Sequence, residues 1–197
     1  MSLIKLNNRA VKDVTQFGSI SSLGSLTHIS TATASASASI EFTLGDYKEY
    51  QFYFVNIHPQ TNIVKFTVNF RDGESLFDAT KTTTYFRARH DEAGTTGQLG
   101  YDTGEDLAQS TGEHTLCAST GNDNDQCLSG ILKLFNPSST TFVKHFIADM
   151  SDYRANDYNA REMTAGYCNT TSAIDGIRFQ MSSGNIDAGQ ILLFGVN

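Results

Sequence analysis

Few side chains in this 197-residue chain have the type and spacing for covalent chemistry. His28, His58, His90, His114 and His145 are dispersed, and no two sit at metal-ligand spacing on a plausible helix. There is no Walker A sequence, no Gly-x-Gly-x-x-Gly, no His-Glu-x-x-His and no Gly-x-Ser-x-Gly. Cys117, Cys127 and Cys168 are odd in number and lack a Cys-x-x-Cys spacing, so neither a zinc site nor a disulfide framework is indicated. Reduced, buried thiols suit assembly in a reducing cytoplasm, with a Cys117–Cys127 bridge as the open alternative. Asp123 and Asp125 flank Asn124 in "GNDNDQ", and such oxygens suit Ca²⁺. The calcium loop also wants a glycine at its sixth position and an acid at its twelfth, and neither falls in register. A plain Asn/Asp turn is therefore expected, with no metal or other cofactor.

The stretch from His90 to Thr115 holds Asp91, Glu92, Asp102, Glu105, Asp106 and Glu113. Paired carboxylates can hydrolyse glycosides, but no defined pair or tryptophan platform accompanies these, so no catalytic residue is assigned. Tyrosine faces can stack on sugars without catalysis. Tyr101, Asp102 and Glu105 are the candidate ligand residues of this loop, and a glycan-binding module is the rival to a non-enzymatic structural protein.

The elements that would carry these residues are strands. In "NIVKFTVNF", Val64, Phe66, Val68 and Phe70 share one face, while Lys65, Thr67 and Asn69 share the other. Ile177, Phe179 and Met181 alternate in the same way, as do Phe142, Phe146 and Ala148. The alternation of Ala32, Ala34, Ala36, Ala38 and Ile40 is expected to continue as strand into Phe42 and Leu44, with a flexible linker over Thr31 to Ser37 as the open alternative. Eight or nine such strands predict an all-β fold, an antiparallel, jelly-roll-like β-sandwich over residues 27–197, preceded by an extended N-terminal arm over residues 1–26. Within the arm Asn8 can cap a short helix that places Val11 and Val14 on one face and stops at Gly18.

A net charge of −7 excludes a duplex nucleic-acid binder, which must neutralise several phosphates. The exception is the arm, where Lys5, Arg9 and Lys12 precede the first acid, Asp13. No run approaches 18 consecutive apolar residues, so no membrane span is expected. The closing strand "GQILLFGV" is apolar on both faces: Ile191 and Leu193 point one way, and Leu192, Phe194 and Val196 the other. Its second face needs a second cover, and Leu192, Phe194 and Val196 are the expected oligomer interface.

The opening "KLNNRAVKDVT" and the closing "CNTTSAIDGIRFQMSSGNIDAGQILLFGV" resemble small virion structural proteins of tailed bacteriophages, particularly those infecting marine bacteria and cyanobacteria. In that group a Lys-Leu-Asn-Asn-Arg segment precedes a sandwich that closes on Ile-x-Phe, Ser-Ser-Gly-Asn and Gly-x-Ile-x-Leu-Tyr/Phe-Gly. Here those positions are Ile177 and Phe179, Ser182 to Asn185, and Gly189 to Gly195, with Phe194 where tyrosine is common. The resemblance implies a capsid decoration, fibre or tail-appendage subunit, assembled in the host cytoplasm and located in the virion. Its partners would be other virion proteins and copies of itself, as a trimer, with a host-surface glycan as the ligand of the rival reading. The docking residues would be Leu3, Ile4 and Leu6 in a groove, Lys5 and Arg9 as charges, and Asn7 and Asn8 as backbone-binding amides.

Overall fold

Period-two alternation builds twelve strands, more than the eight or nine expected. In chain order they are β1 (Thr27–Thr33), β2 (Ile40–Thr43), β3 (Glu49–Pro59), β4 (Val64–Arg71), β5 (Lys81–Asp91), β6 (Gly97–Tyr101), β7 (His114–Thr120), β8 (Leu128–Phe135), β9 (Lys144–Arg154), β10 (Tyr158–Cys168), β11 (Gly176–Met181) and β12 (Ile186–Val196). The structure is a computed structural model that describes residues 26–197. The expected arm helix and the docking residues Leu3, Ile4, Lys5, Leu6, Asn7, Asn8 and Arg9 lie outside the described residues.

Every strand pairing is antiparallel. A large layer runs β1-β12-β3-β8-β9-β10-β5-β6, and a small layer runs β7-β4-β11-β2. The layers join where Thr120 of β7 pairs with Arg154 of β9. On the other side Ser37 bridges to Ile186 of β12. With both sides tied, the sheet is nearly closed and stands between an open sandwich and a barrel.

Phenylalanine fills the space between the layers. Val64, Phe66, Val68 and Phe70 of β4 are buried, as are Ile177, Phe179 and Met181 of β11. Phe179 meets Phe42, Phe52, Phe54 and Phe66 at ring-centroid distances of 6.3, 5.3, 5.0 and 6.0 Å. Three of these contacts are edge-to-face, the arrangement that aromatic quadrupoles favour.

Three local expectations need correcting. Residues 31–44 are not one strand. After Thr33 the chain crosses between layers, with Ala36 at φ 49°, and β2 begins at Ile40. Its N–H groups stay satisfied, for Ala34 donates to the Gly189 carbonyl at 2.9 Å. Gly189 is required there: its φ is +109°, and a Cβ would lie 2.4 Å from the Asn56 carbonyl oxygen. Phe142 does not share a strand face with Phe146 and Ala148. It precedes β9 and is 70% exposed.

The third correction concerns residues 90–115, which are largely built structure. β5 and β6 form a hairpin whose turn is held by Asp91, accepting from the Thr95 and Thr96 amides at 2.8 and 2.9 Å. The following segment runs along the free edge of β5, where Lys81 and Ser110 exchange backbone hydrogen bonds at 2.9 and 3.0 Å. The chain turns at residues 102–105, where the Glu105 amide donates to the Asp102 carbonyl at 3.3 Å, and no helix follows before Ser110.

Candidate functional site

The inner face of the large layer changes character along its strands. One register line joins Leu132, Ala148, Thr164 and Tyr85. The next joins Gly130, Met150, Glu162 and Arg87, and the next Leu128, Asp152, Ala160 and Arg89. Arg154 follows near the end of β9. Apolar packing thus gives way to charge within two pleats, at the end of the fold where β7 meets β9.

Asp152 and Glu162 have fully buried side chains, and Arg154 is 5% exposed. Arg154 Nη2 donates to Glu162 Oε1. The Ala118 amide donates to Glu162 Oε2 at 3.2 Å. Neither Asp152 oxygen has a hydrogen-bond partner among the described residues, and Arg154 Nε lies 3.5 Å from Oδ2. Burial, with Glu162 beside it, pushes the Asp152 carboxyl up to about 7 against the pull of Arg154 and Thr120. Burial alone would lower the Arg154 pKa, but Glu162 and Asp152 outweigh it and hold the guanidinium charged. Burial also raises the Tyr85 hydroxyl and the Cys117 thiol, with the Glu162 charge adding to both.

The ligand atoms of Cys117, Asp152 and Glu162 lie within 4.8 Å of one another, the tight metal-type grouping among the described residues. Arg154 already supplies the positive charge there and occupies the Glu162 oxygen Oε1. A neighbouring buried group is fixed by hydrogen bonding. The Thr164 hydroxyl donates to the Thr84 carbonyl at 2.6 Å, so it must accept from His114 Nε2, also at 2.6 Å. His114 is therefore the neutral Nε2–H tautomer, and burial with Lys81 nearby lowers its pKa to about 3.

In front of this buried group opens a polar cleft of about 410 Å³. Arg87, Arg89 and Arg154 line it, with Asp102, Glu105, Ser119 and Asn156. Arg87 pairs with Asp102 at 2.9 Å, and Lys65 with Glu105 at 2.7 Å.

The outer face of the same layer is the reverse. A single register line crosses all eight strands: Thr31, Leu192, Tyr53, Ile131, Asp149, Met163, Phe86 and Tyr101. It is apolar or aromatic everywhere but Thr31 and Asp149. The adjacent line adds Phe194 and Ile147, the latter 46% exposed, and Leu99 on β6 is 74% exposed. Phe86, Ile131, Ile147 and Met163 line a groove of about 300 Å³. Around it stand Lys133 and the Arg161–Asp149 pair, bonded at 2.9 and 2.6 Å.

The structure separates the sequence-predicted ligand residues. Tyr101 is on the outer face, its hydroxyl donating to Asp106 at 2.5 Å, whereas Asp102 and Glu105 turn into the cleft. Leu192, Phe194 and Val196 lie half-buried on β12. Phe194 packs edge-on against Tyr53 and His28 at 5.4 and 5.3 Å. Asp123 and Asp125 sit in a turn closed by the Gln126 amide donating to the Asp123 carbonyl at 2.8 Å, and neither joins the metal-type grouping. Cys117, Cys127 and Cys168 are free thiols.

Sequence reasoning missed Asp152, Arg154 and Glu162. A signal was available: the alternation that puts Phe146 and Ala148 inward continues through Met150 to Asp152 and Arg154. No protein-family model matches the chain, and no curated protein matches it.

Proposed function

We propose that the protein is a non-enzymatic bacteriophage virion subunit that docks through residues 1–26 and assembles with copies of itself through the outer face of its large layer. The observation that carries the assembly reading is the apolar register line from Leu192 to Phe86 on a face open to solvent. Exposed apolar area of this continuity favours burial against protein. A second copy suits it because the rim presents both signs, Lys133 beside Asp149 and Arg161, so a neighbouring copy can meet each charge with its opposite. The expected assembly is a closed ring, a trimer. The virion assignment rests on the sequence resemblance at the two ends of the chain.

Mass spectrometry of gradient-purified particles tests the virion reading. The full chain is expected in the particles, and a chain lacking residues 1–26 is expected to fold yet be absent from them. Absence of the full chain overturns the virion assignment, and normal incorporation of the shortened chain overturns docking through the arm.

A further inference from the structure

Of the arginines lining the polar cleft, Arg89 is the one with no acid partner among the described residues. Arg87 is paired with Asp102, Lys65 with Glu105, and Arg154 with Glu162 and Asp152. Arg89 has no carboxylate partner among the described residues. Its guanidinium carbon sits 5.3 Å from the centroid of the Tyr158 ring, and its Nε is buried without an acceptor. A partly desolvated cation with an unmet donor is unfavourable until an anion completes it.

The rest of the lining fits a polyhydroxylated partner. Ser119 and the Asn156 amide offer donors and acceptors, and Asp102 and Glu105, neutralised by their own cations, keep lone pairs for hydroxyl groups. A volume of about 410 Å³ suits one sugar unit rather than a chain.

We infer that the cleft is a binding site for an acidic saccharide, whose carboxylate or phosphate sits on Arg89 and whose hydroxyls bond Asn156, Ser119, Asp102 and Glu105. The site uses the interior end of the sandwich and is independent of assembly through the outer face.

Isothermal titration of the full chain at low salt, with glucuronate, glucose 1-phosphate and glucose, tests this. An acidic sugar is expected to bind at least about tenfold more tightly than glucose, and Arg89→Gln to lose that advantage. Binding of both acids supports a shared anion site, and binding of only one supports it while naming the anion. Equal binding of glucose, unchanged affinity in Arg89→Gln, or no heat with either acid at about 10 mM overturns it. Amide shifts in the unmodified protein read the site without a variant. Perturbation centred on Ser119 and Asn156 supports the proposal, and perturbation confined elsewhere overturns it.

Discussion

The two ends of this fold obey opposite rules. Around β4, β11 and β3 the interior is phenylalanine, with Phe179 touching four other rings. Where β9, β10 and β5 approach β7 the interior turns ionic, with Asp152, Arg154 and Glu162 buried beside Met150 and Tyr85, while Ile147, Phe86 and Tyr101 face outward on the same sheet. The first arrangement is what folding alone selects. The second leaves apolar area in water and takes charge out of it, each unfavourable for an isolated chain. An end built against the folding rule points to demands from outside the chain: a partner for the outer face and a ligand for the inner one.

The sharpest contrast comes from two truncations. Phe179→Ala should cost about 3–5 kcal/mol in urea denaturation, because it opens a cavity among four rings. Arg154→Met should cost a similar amount, about 3–5 kcal/mol, by stranding two buried carboxylates. The ends then diverge. Replacing Asp152, Arg154 and Glu162 together by Leu, Met and Leu should recover most of the loss, since a packed apolar set can substitute for a buried ion group. If the triple variant stays as unstable as Arg154→Met, the ionic end is required for folding and the contrast fails.

A smaller effect separates the ends by pH. The folded state holds the Asp152 proton up to about 7, whereas the ordinary value is 3.8. Between those values the folded state binds the extra proton, so this group's contribution to stability is full below 3.8 and is lost as pH rises toward 7. His114 acts oppositely. Its pKa is lowered from 6.5 to about 3, so the unfolded state binds the proton and stability falls as pH drops through that window. The two windows overlap, so the two slopes oppose each other in the wild type. Between pH 3.8 and 6.5 the melting temperature should rise with pH in Asp152→Asn, where His114 acts alone, and fall with pH in His114→Gln, where Asp152 acts alone. An Asp152→Asn variant with the wild-type profile contradicts the buried-acid assignment.

The smallest expected effect is on the outer face. Arg161→Ala should leave the melting temperature unchanged, because its pair with Asp149 is exposed. Its effect should appear in the salt dependence of self-association.

How much of this was legible follows from where the alternation stays apolar. Val64 to Phe70 and Ile177 to Met181 can be read directly, because each inward residue is hydrophobic and each stretch becomes a strand with that face buried. Asp152 and Glu162 look like solvent-facing residues in the sequence. Alternation from Phe146 and Ala148 places Asp152 on the inner face, but its charge argues against it. What compensates that charge is the pairing of β9 with β10, which brings Glu162 beside Met150 and within reach of Arg154. The segment Thr31–Leu44 shows the converse limit. Alternation marks which residues can face inward, but the crossing at Ala36 depends on the layer that receives the chain. Tyr101, Asp102 and Glu105 part company for a related reason: after β6 the chain turns to run along the edge of β5, which leaves Tyr101 on the outer face and puts Asp102 and Glu105 in the cleft.

The measurement that bears most directly on the inverted end is solution mass by light scattering over a concentration series, for the wild type and for Ile147→Asp. Ile147 is 46% exposed, so the folded monomer should tolerate the change while the outer face does not. A stable oligomer, a trimer, is expected for the wild type and a folded monomer for the variant. A wild type that remains monomeric throughout, or a variant that assembles as well as the wild type, would contradict it.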